Sequence, residues 1–265
     1  MEYLTKLNYQ ENNIKIHYSD DAESSAKDVI ELLEEMSNYY EYLFNVKPTL
    51  TVILVNKTDY KKLFEKPYGM PFLFGSEKEW YINMPSEEGI IVDLIKEDYY
   101  SIHHPLEEKY INDYANSFVT LIGFHEIGHT YCCELGLDKL CHWFSEFMAT
   151  YFAYCFMVEK SPKHAEIWMT INQVTLDAKR QLKYMTLDEF NEAYSTMASE
   201  APGDYTWFQG MFNEKVDEIY KRYGILFIKN VLDTFKDGKM SSEDFEDKLI
   251  KIAPEFEDWL NDFRN

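Results

Sequence analysis

His125-Glu126-Ile127-Gly128-His129 is the stretch of this chain that carries the most structural information. Two histidines four residues apart lie on one face of a helix, with Cβ atoms about 5–6 Å apart. Both imidazoles can then reach one zinc ion at Zn–N distances of about 2.0–2.1 Å. Glu126 lies about 100° further round the helix, where its carboxylate can polarise a zinc-bound water without coordinating the metal. The spacing predicts a helix that carries two metal ligands and a general base.

The residues that follow predict a third ligand. Glu146 comes seventeen residues after His129, within an apolar stretch (143–152) that indicates a second buried helix. A buried glutamate is unfavourable unless something pairs with it, and a metal ion would do so. Two histidines and one glutamate leave the fourth tetrahedral position open for water, as in catalytic zinc sites.

These two segments resemble the gluzincin metallopeptidases, which include thermolysin-like and aminopeptidase-N-like enzymes. HEIGH is followed by sixteen residues and then by the glutamate of W-F-S-E-F-M-A-T-Y-F, which is similar to the family's second motif, W-L-N-E-G-F-A-x-Y. The match covers about thirty residues. It implies that His125, His129 and Glu146 bind one Zn²⁺ per chain and that Glu126 is the general base.

The resemblance also implies a donor for the oxyanion that forms during hydrolysis. In the aminopeptidase-like branch this is a tyrosine in a Y-x-K-G type motif, sixty or more residues past the ligand glutamate. Tyr205, before Gly210, lies at that distance here, although the Tyr–Gly spacing is two residues longer. Tyr205 is therefore the predicted oxyanion donor.

Three departures from the family pattern bear on activity. Thermolysin-like enzymes have an aspartate where this chain has Thr150, and aminopeptidase-like enzymes have a glutamate where it has Ala153. These carboxylates orient a metal-bound histidine, and Glu134 or Glu159 could replace them. The G-x-M-E-N motif that binds a free amino terminus is missing from the sequence, which favours an endopeptidase over an aminopeptidase.

The pattern along the chain predicts an α+β fold, and the resemblance implies that its layout is of zincin type. Residues 1–115 read as an α+β lobe with a small mixed sheet, and residues 116–265 as a mainly helical lobe, with the zinc site in the cleft between them. The clearest strand is Leu50–Val55, and weaker strands are predicted within 1–20, at 80–84 and at 90–92. We expect 80–84 to be the edge strand that holds a substrate, or else an ordinary strand without a ligand.

The helical lobe is predicted to continue to the end of the sequence. A capping box at Thr186 and Glu189 starts one of its helices. Residues 69–75, with two glycines and a proline, read as a loop. The predicted helices after Glu146 span residues 163–184, 187–198, 206–222, 224–236 and 241–262.

Composition excludes some partners. The formal charge of −21 repels phosphate backbones and anionic membranes, so neither nucleic acid nor a membrane surface is expected. The four cysteines match no common zinc-finger spacing and are predicted to be buried thiols, which points to a reducing compartment. With no signal peptide or apolar span recognised, a cytoplasmic location is expected.

Together these features predict a zinc-dependent metallopeptidase that hydrolyses peptide bonds through a Glu126-activated, zinc-bound water. Its partner would be a peptide or protein substrate. Two alternatives remain open. One is a catalytically inactive or very narrow-specificity gluzincin-like protein that binds peptides or proteins, and the other is a zinc hydrolase with a different substrate. The sequence gives no oligomeric state.

Overall fold

The computed structural model describes residues 2–76, 78–235 and 241–264. A short 3-10 helix, Glu2–Lys6, precedes five β-strands that belong to one mixed sheet near the start of the chain. The strands are β1 (Asn8–Glu11), β2 (Lys15–Tyr18), β3 (Leu50–Val55), β4 (Phe72–Ser76) and β5 (Glu79–Pro85).

The sheet has the strand order β1-β2-β3-β5-β4. β2, β3 and β5 run parallel, while β1 and β4 pair antiparallel with their neighbours and form the two edges. Every residue of β3 is buried, as its central position and run of β-branched residues require. The strands predicted within 1–20 and at Leu50–Val55 are confirmed.

Three predictions about the sheet are wrong. Residues 80–84 do form a strand, but β5 pairs with β3 on one side and β4 on the other, so it is not an edge. The edge next to β5 is β4, which lies in the segment predicted to be a loop and contains Gly75 at φ +124°. The β-branched run 90–92 lies in a helix, because packing against other helices outweighs its strand propensity.

Eleven α-helices lie in the described part of the chain. They are α1 (Glu23–Phe44), α2 (Lys57–Leu63), α3 (Ile90–Ser101), α4 (Glu108–Glu134), α5 (His142–Lys160), α6 (Pro162–Asp177), α7 (Leu187–Glu200), α8 (Pro202–Tyr223), α9 (Leu226–Phe235), α10 (Ser242–Ile252) and α11 (Phe256–Asp262).

Helices α4 and α5 form the centre of the molecule. Most of α5 is buried, and its apolar side chains join α1, α8 and the inner face of the sheet in one core. Tyr131 of α4 donates a hydrogen bond to the Ser37 carbonyl (2.9 Å), and Tyr40 of α1 donates one to the Phe152 carbonyl (2.5 Å). These buried bonds fix α1, α4 and α5 relative to one another.

The later helices follow the prediction in part. The capping box at Thr186 and Glu189 is present and begins α7. The helix predicted over 163–184 ends at Asp177, and the one predicted over 241–262 is divided into α10 and α11. The predicted lobe boundary at residue 115 falls inside α4. Within the described residues, no helix is both long enough and apolar enough to span a membrane.

Candidate metal centre

His125 and His129 project from the same face of α4, with ring centroids 4.6 Å apart and rings nearly perpendicular. Helix α4 packs closely against α5 at this point. A Cβ added to Gly128 would lie only 2.3 Å from the Ala149 carbonyl oxygen of α5. Glycine therefore allows the backbones of α4 and α5 to approach each other directly beside the two histidines.

Glu146 of α5 faces both histidines across this contact. Its Oε2 lies 3.1 Å from His125 Nε2, and its Oε1 lies 3.3 Å from His129 Nε2. Glu146 is 1 % exposed and His125 is 5 % exposed. The structure thus brings together, in the core, the three predicted metal ligands from two separate segments.

The geometry of these atoms fits a metal ion. One nitrogen from each histidine and one oxygen from Glu146 all lie within 4.8 Å of one another. Ligands about 2.1 Å from a common tetrahedral centre are about 3.4 Å apart. The observed contacts are 3.1 Å from His125 Nε2 to Oε2 of Glu146 and 3.3 Å from His129 Nε2 to Oε1, so each histidine faces a different oxygen of the carboxylate. The set can therefore hold a metal ion.

The charges of the cluster are strongly coupled. Burial alone would raise the pKa of Glu146, but the two histidines and their hydrogen bonds hold it well below its usual value. Burial would lower the pKa of His129, yet the Glu146 carboxylate raises it above the ordinary value. Glu146 is thus an anion that attracts positive charge at the position where a metal ion would bind.

Glu126 does not join this cluster, as predicted from its angle on the helix. It is 7 % exposed and lines the same cleft as the histidines and Glu146. Burial raises its pKa, while the two histidines and the backbone of Leu73 in β4 oppose that rise. A buried carboxylate outside the ligand set thus lines the same cleft as the candidate metal position.

The cleft has a volume of about 440 Å³. Part of the cleft wall is apolar. This part follows α4 from the cluster toward the first residues of that helix and includes side chains of α3 and α6. The apolar residues there are Ile91, Ile95, Phe118, Ile122 and Trp168. β4 contributes Phe72 and Leu73 to the lining, so an edge strand borders the candidate site.

The predicted oxyanion donor Tyr205 lies in the cleft, with its hydroxyl 3.3 Å from Glu146 Oε2. Two further donors to Glu146 were missed: the Tyr194 hydroxyl donates to Oε1 (2.5 Å), and Gln209 Nε2 donates to Oε2 (2.7 Å). Gln209 follows Tyr205 by four residues on one helix, a spacing that could have revealed it. No sequence signal separates Tyr194 from the other tyrosines, of which the chain has 21 in all.

Thr150 occupies the place of the missing carboxylate. Its Oγ1 lies 3.1 Å from His125 Nδ1, so in the tautomer that offers Nε2 to a metal, Nδ1–H donates to the threonine. The suggestion that Glu134 or Glu159 replaces the carboxylate is wrong. Glu134 accepts from Trp80 Nε1, and Glu159 accepts from the Tyr39 hydroxyl.

Comparison of the chain with protein-family models, with curated proteins and with solved structures finds no match.

Proposed function

We propose that this chain is a zinc-dependent metallopeptidase of gluzincin type, with its site in a zincin-like cleft. One observation carries the proposal. Three side chains with the composition and spacing of a catalytic zinc site converge in the core, and a buried carboxylate that is not among them lies in the same cleft.

Zinc is the metal that we infer from the donor set. Imidazole nitrogens suit Zn²⁺, which also accepts a carboxylate oxygen in catalytic sites, whereas Ca²⁺ and Mg²⁺ prefer all-oxygen sites. Three protein ligands leave a position for water or substrate, which distinguishes catalytic from structural zinc. His125, His129 and Glu146 would hold the ion.

When bound, zinc would act as a Lewis acid that polarises a water molecule and the carbonyl group of the scissile peptide bond. Glu126 would accept the proton of the attacking water and return it to the leaving amine. Because Glu126 is held outside the ligand set, its carboxylate is available for this transfer.

Tyr205 is proposed to donate a hydrogen bond to the carbonyl oxygen as negative charge develops there. Its hydroxyl reaches the cleft, and its contact with Glu146 is long for an O–H···O bond. Burial, and then the Glu146 charge, raise its pKa well above the ordinary value, so the hydroxyl keeps its proton.

A peptide is the substrate that the walls of the cleft fit. The free edge of β4 can pair with an extended backbone, and Leu73 of that strand lines the cleft. Among the described residues that line it, the carboxylates are Glu126 and Glu146, which already have roles. A third carboxylate to bind a free amino terminus is lacking in that lining, which favours an endopeptidase.

Digestion of a mixed-sequence peptide library by the zinc-loaded protein, read by mass spectrometry, tests the proposal. We expect internal cuts with the wild type and none with Glu126→Gln, which should keep its zinc. Equal cleavage by that variant would overturn the mechanism. A wild type that holds one zinc and cuts nothing would instead favour the alternative, a gluzincin-like protein that binds peptides without hydrolysing them.

A further inference from the structure

Glu146 receives more hydrogen bonds than a metal ligand requires. Besides the two histidines, Tyr194, Gln209 and Tyr205 all donate to its carboxylate, at 2.5, 2.7 and 3.3 Å respectively. A carboxylate has about four acceptor positions, so a metal ion and two donors can be accommodated together. The three donors come from α7 and α8, which form one wall of the cleft.

The two shorter contacts and the longer one differ in character. O–H···O⁻ bonds are about 2.5–2.7 Å long and N–H···O bonds about 2.7–3.2 Å, so the Tyr194 and Gln209 contacts are strong ones. The Tyr205 contact is longer than an O–H···O bond should be. The ring of Tyr194 is also held in place, because it stacks on His142 with centroids 4.3 Å apart and planes 8° apart.

We propose that Tyr194 and Gln209 are positioning residues that hold Glu146 for the metal, and that Tyr205 alone of the three turns toward substrate. The second part rests on the proposed peptidase function, whereas the first requires only that the site binds a metal. We call Tyr194 and Gln209 together the clamp. Tyr205 is the substrate contact.

The clamp has two opposing effects on metal affinity, and the larger effect decides whether the clamp strengthens or weakens binding. Hydrogen bonds withdraw negative charge from Glu146, which weakens its attraction for a cation. They also fix the carboxylate in the orientation that faces both histidines, which lowers the entropy lost on binding. For hydrogen bonds to metal ligands the second effect dominates, since removing one typically lowers metal affinity or activity by about 10–100-fold.

The test uses matched variants of the full chain. Tyr194→Phe and Gln209→Met each remove one donor and keep its volume, and Tyr205→Phe removes the third. Tyr39→Phe is the control for tyrosine, because Tyr39 also donates to a glutamate, Glu159, about 20 Å along α5 from the site. Gln173→Met on α6 is the control for glutamine, since Gln173 donates to Asp177.

Zn²⁺ affinity is measured by chelator competition on folded, metal-free protein, and the visible spectrum of the Co²⁺ form reports the ligand geometry. We expect Tyr194→Phe and Gln209→Met each to weaken Zn²⁺ binding by about 10–100-fold and to change the Co²⁺ spectrum. Tyr205→Phe and both controls should stay within about twofold of the wild type, while Tyr205→Phe lowers peptide turnover.

Two results would overturn the proposal: wild-type Zn²⁺ affinity in both clamp variants, or a loss in Tyr205→Phe as large as theirs. A merely structural role would lower the unfolding temperature without moving the Co²⁺ spectrum. Because affinity and spectrum are read without a substrate, a protein that cleaves no peptide still tests the clamp.

Discussion

Replacing Gly128 by alanine separates packing from helix propensity at the candidate metal centre. In a solvated helix this change would stabilise by up to about 1 kcal/mol. Here the new Cβ would lie 2.3 Å from the Ala149 carbonyl oxygen and 2.9 Å from its Cα. Those distances are about 1 Å inside van der Waals contact. Overpacking of this kind costs about 1–3 kcal/mol, so we expect net destabilisation.

The same displacement should reach the metal ligands. Relieving the overlap requires α4 and α5 to separate by roughly 1 Å, whereas metal–ligand distances tolerate about 0.2 Å. Gly128 adjoins His129 in sequence, and Glu146 lies on the helix that would be displaced. We therefore expect Gly128→Ala to lose most of its Zn²⁺ affinity as well as its stability.

Thermal unfolding with and without Zn²⁺ measures both effects. A loss of about 1–2 kcal/mol in the free energy of unfolding should lower the Tm of Gly128→Ala by roughly 2–8 °C. Zn²⁺ should raise the Tm of the wild type but not that of the variant. Gly123→Ala, in the same helix, is the control. Its Cβ would meet the flexible ends of Leu33 (3.0 Å) and Met84 (3.1 Å), which can move aside. If Gly128→Ala matched Gly123→Ala in Tm and in Zn²⁺ affinity, the close contact between α4 and α5 would not set the geometry of the site.

Two further predictions concern side chains. Thr150→Val removes the oxygen that accepts a hydrogen bond from His125 Nδ1. In a chelator competition this variant should bind Zn²⁺ about 10–100-fold more weakly than the wild type. Wild-type affinity would show that the threonine does not orient the histidine. Hydrogen bonds from Tyr81 and then Lys15 lower the pKa of Glu79 below its usual value of 4.5, so this carboxylate stabilises the fold above about pH 4.5 and loses that effect as pH falls. Glu79→Gln should therefore lower the free energy of unfolding by up to about 1 kcal/mol at neutral pH and by less near pH 4, as measured by urea unfolding. An equal loss at both pH values would refute the assignment.

The sequence predicted the candidate site better than the sheet that borders it. His125, His129 and Glu146 could be placed together because helical periodicity fixes which side chains share a face, and a buried glutamate demands a partner. Tyr205 was found through the resemblance, and the structure places it in the cleft. Their roles in catalysis stay predictions.

What the sequence missed depends on tertiary packing. Tyr194 reaches Glu146 only because α7 folds back over α5, and no local pattern encodes that contact. The segment 69–75 reads as a loop because of Gly69, Pro71 and Gly75, although pairing with β5 forms the strand β4. Thr150 departs from the family pattern, yet its position four residues after Glu146 puts a hydroxyl on the same helix face.

The most direct test of the account is a titration of the metal-free protein with Zn²⁺, in which bound metal and peptide cleavage are followed together. We expect cleavage to rise with the first equivalent and then to stay level, and His129→Ala to bind weakly and cleave nothing. Cleavage by the metal-free protein, or tight Zn²⁺ binding that survives in His129→Ala, would contradict the assignment of the metal centre and of the activity built on it.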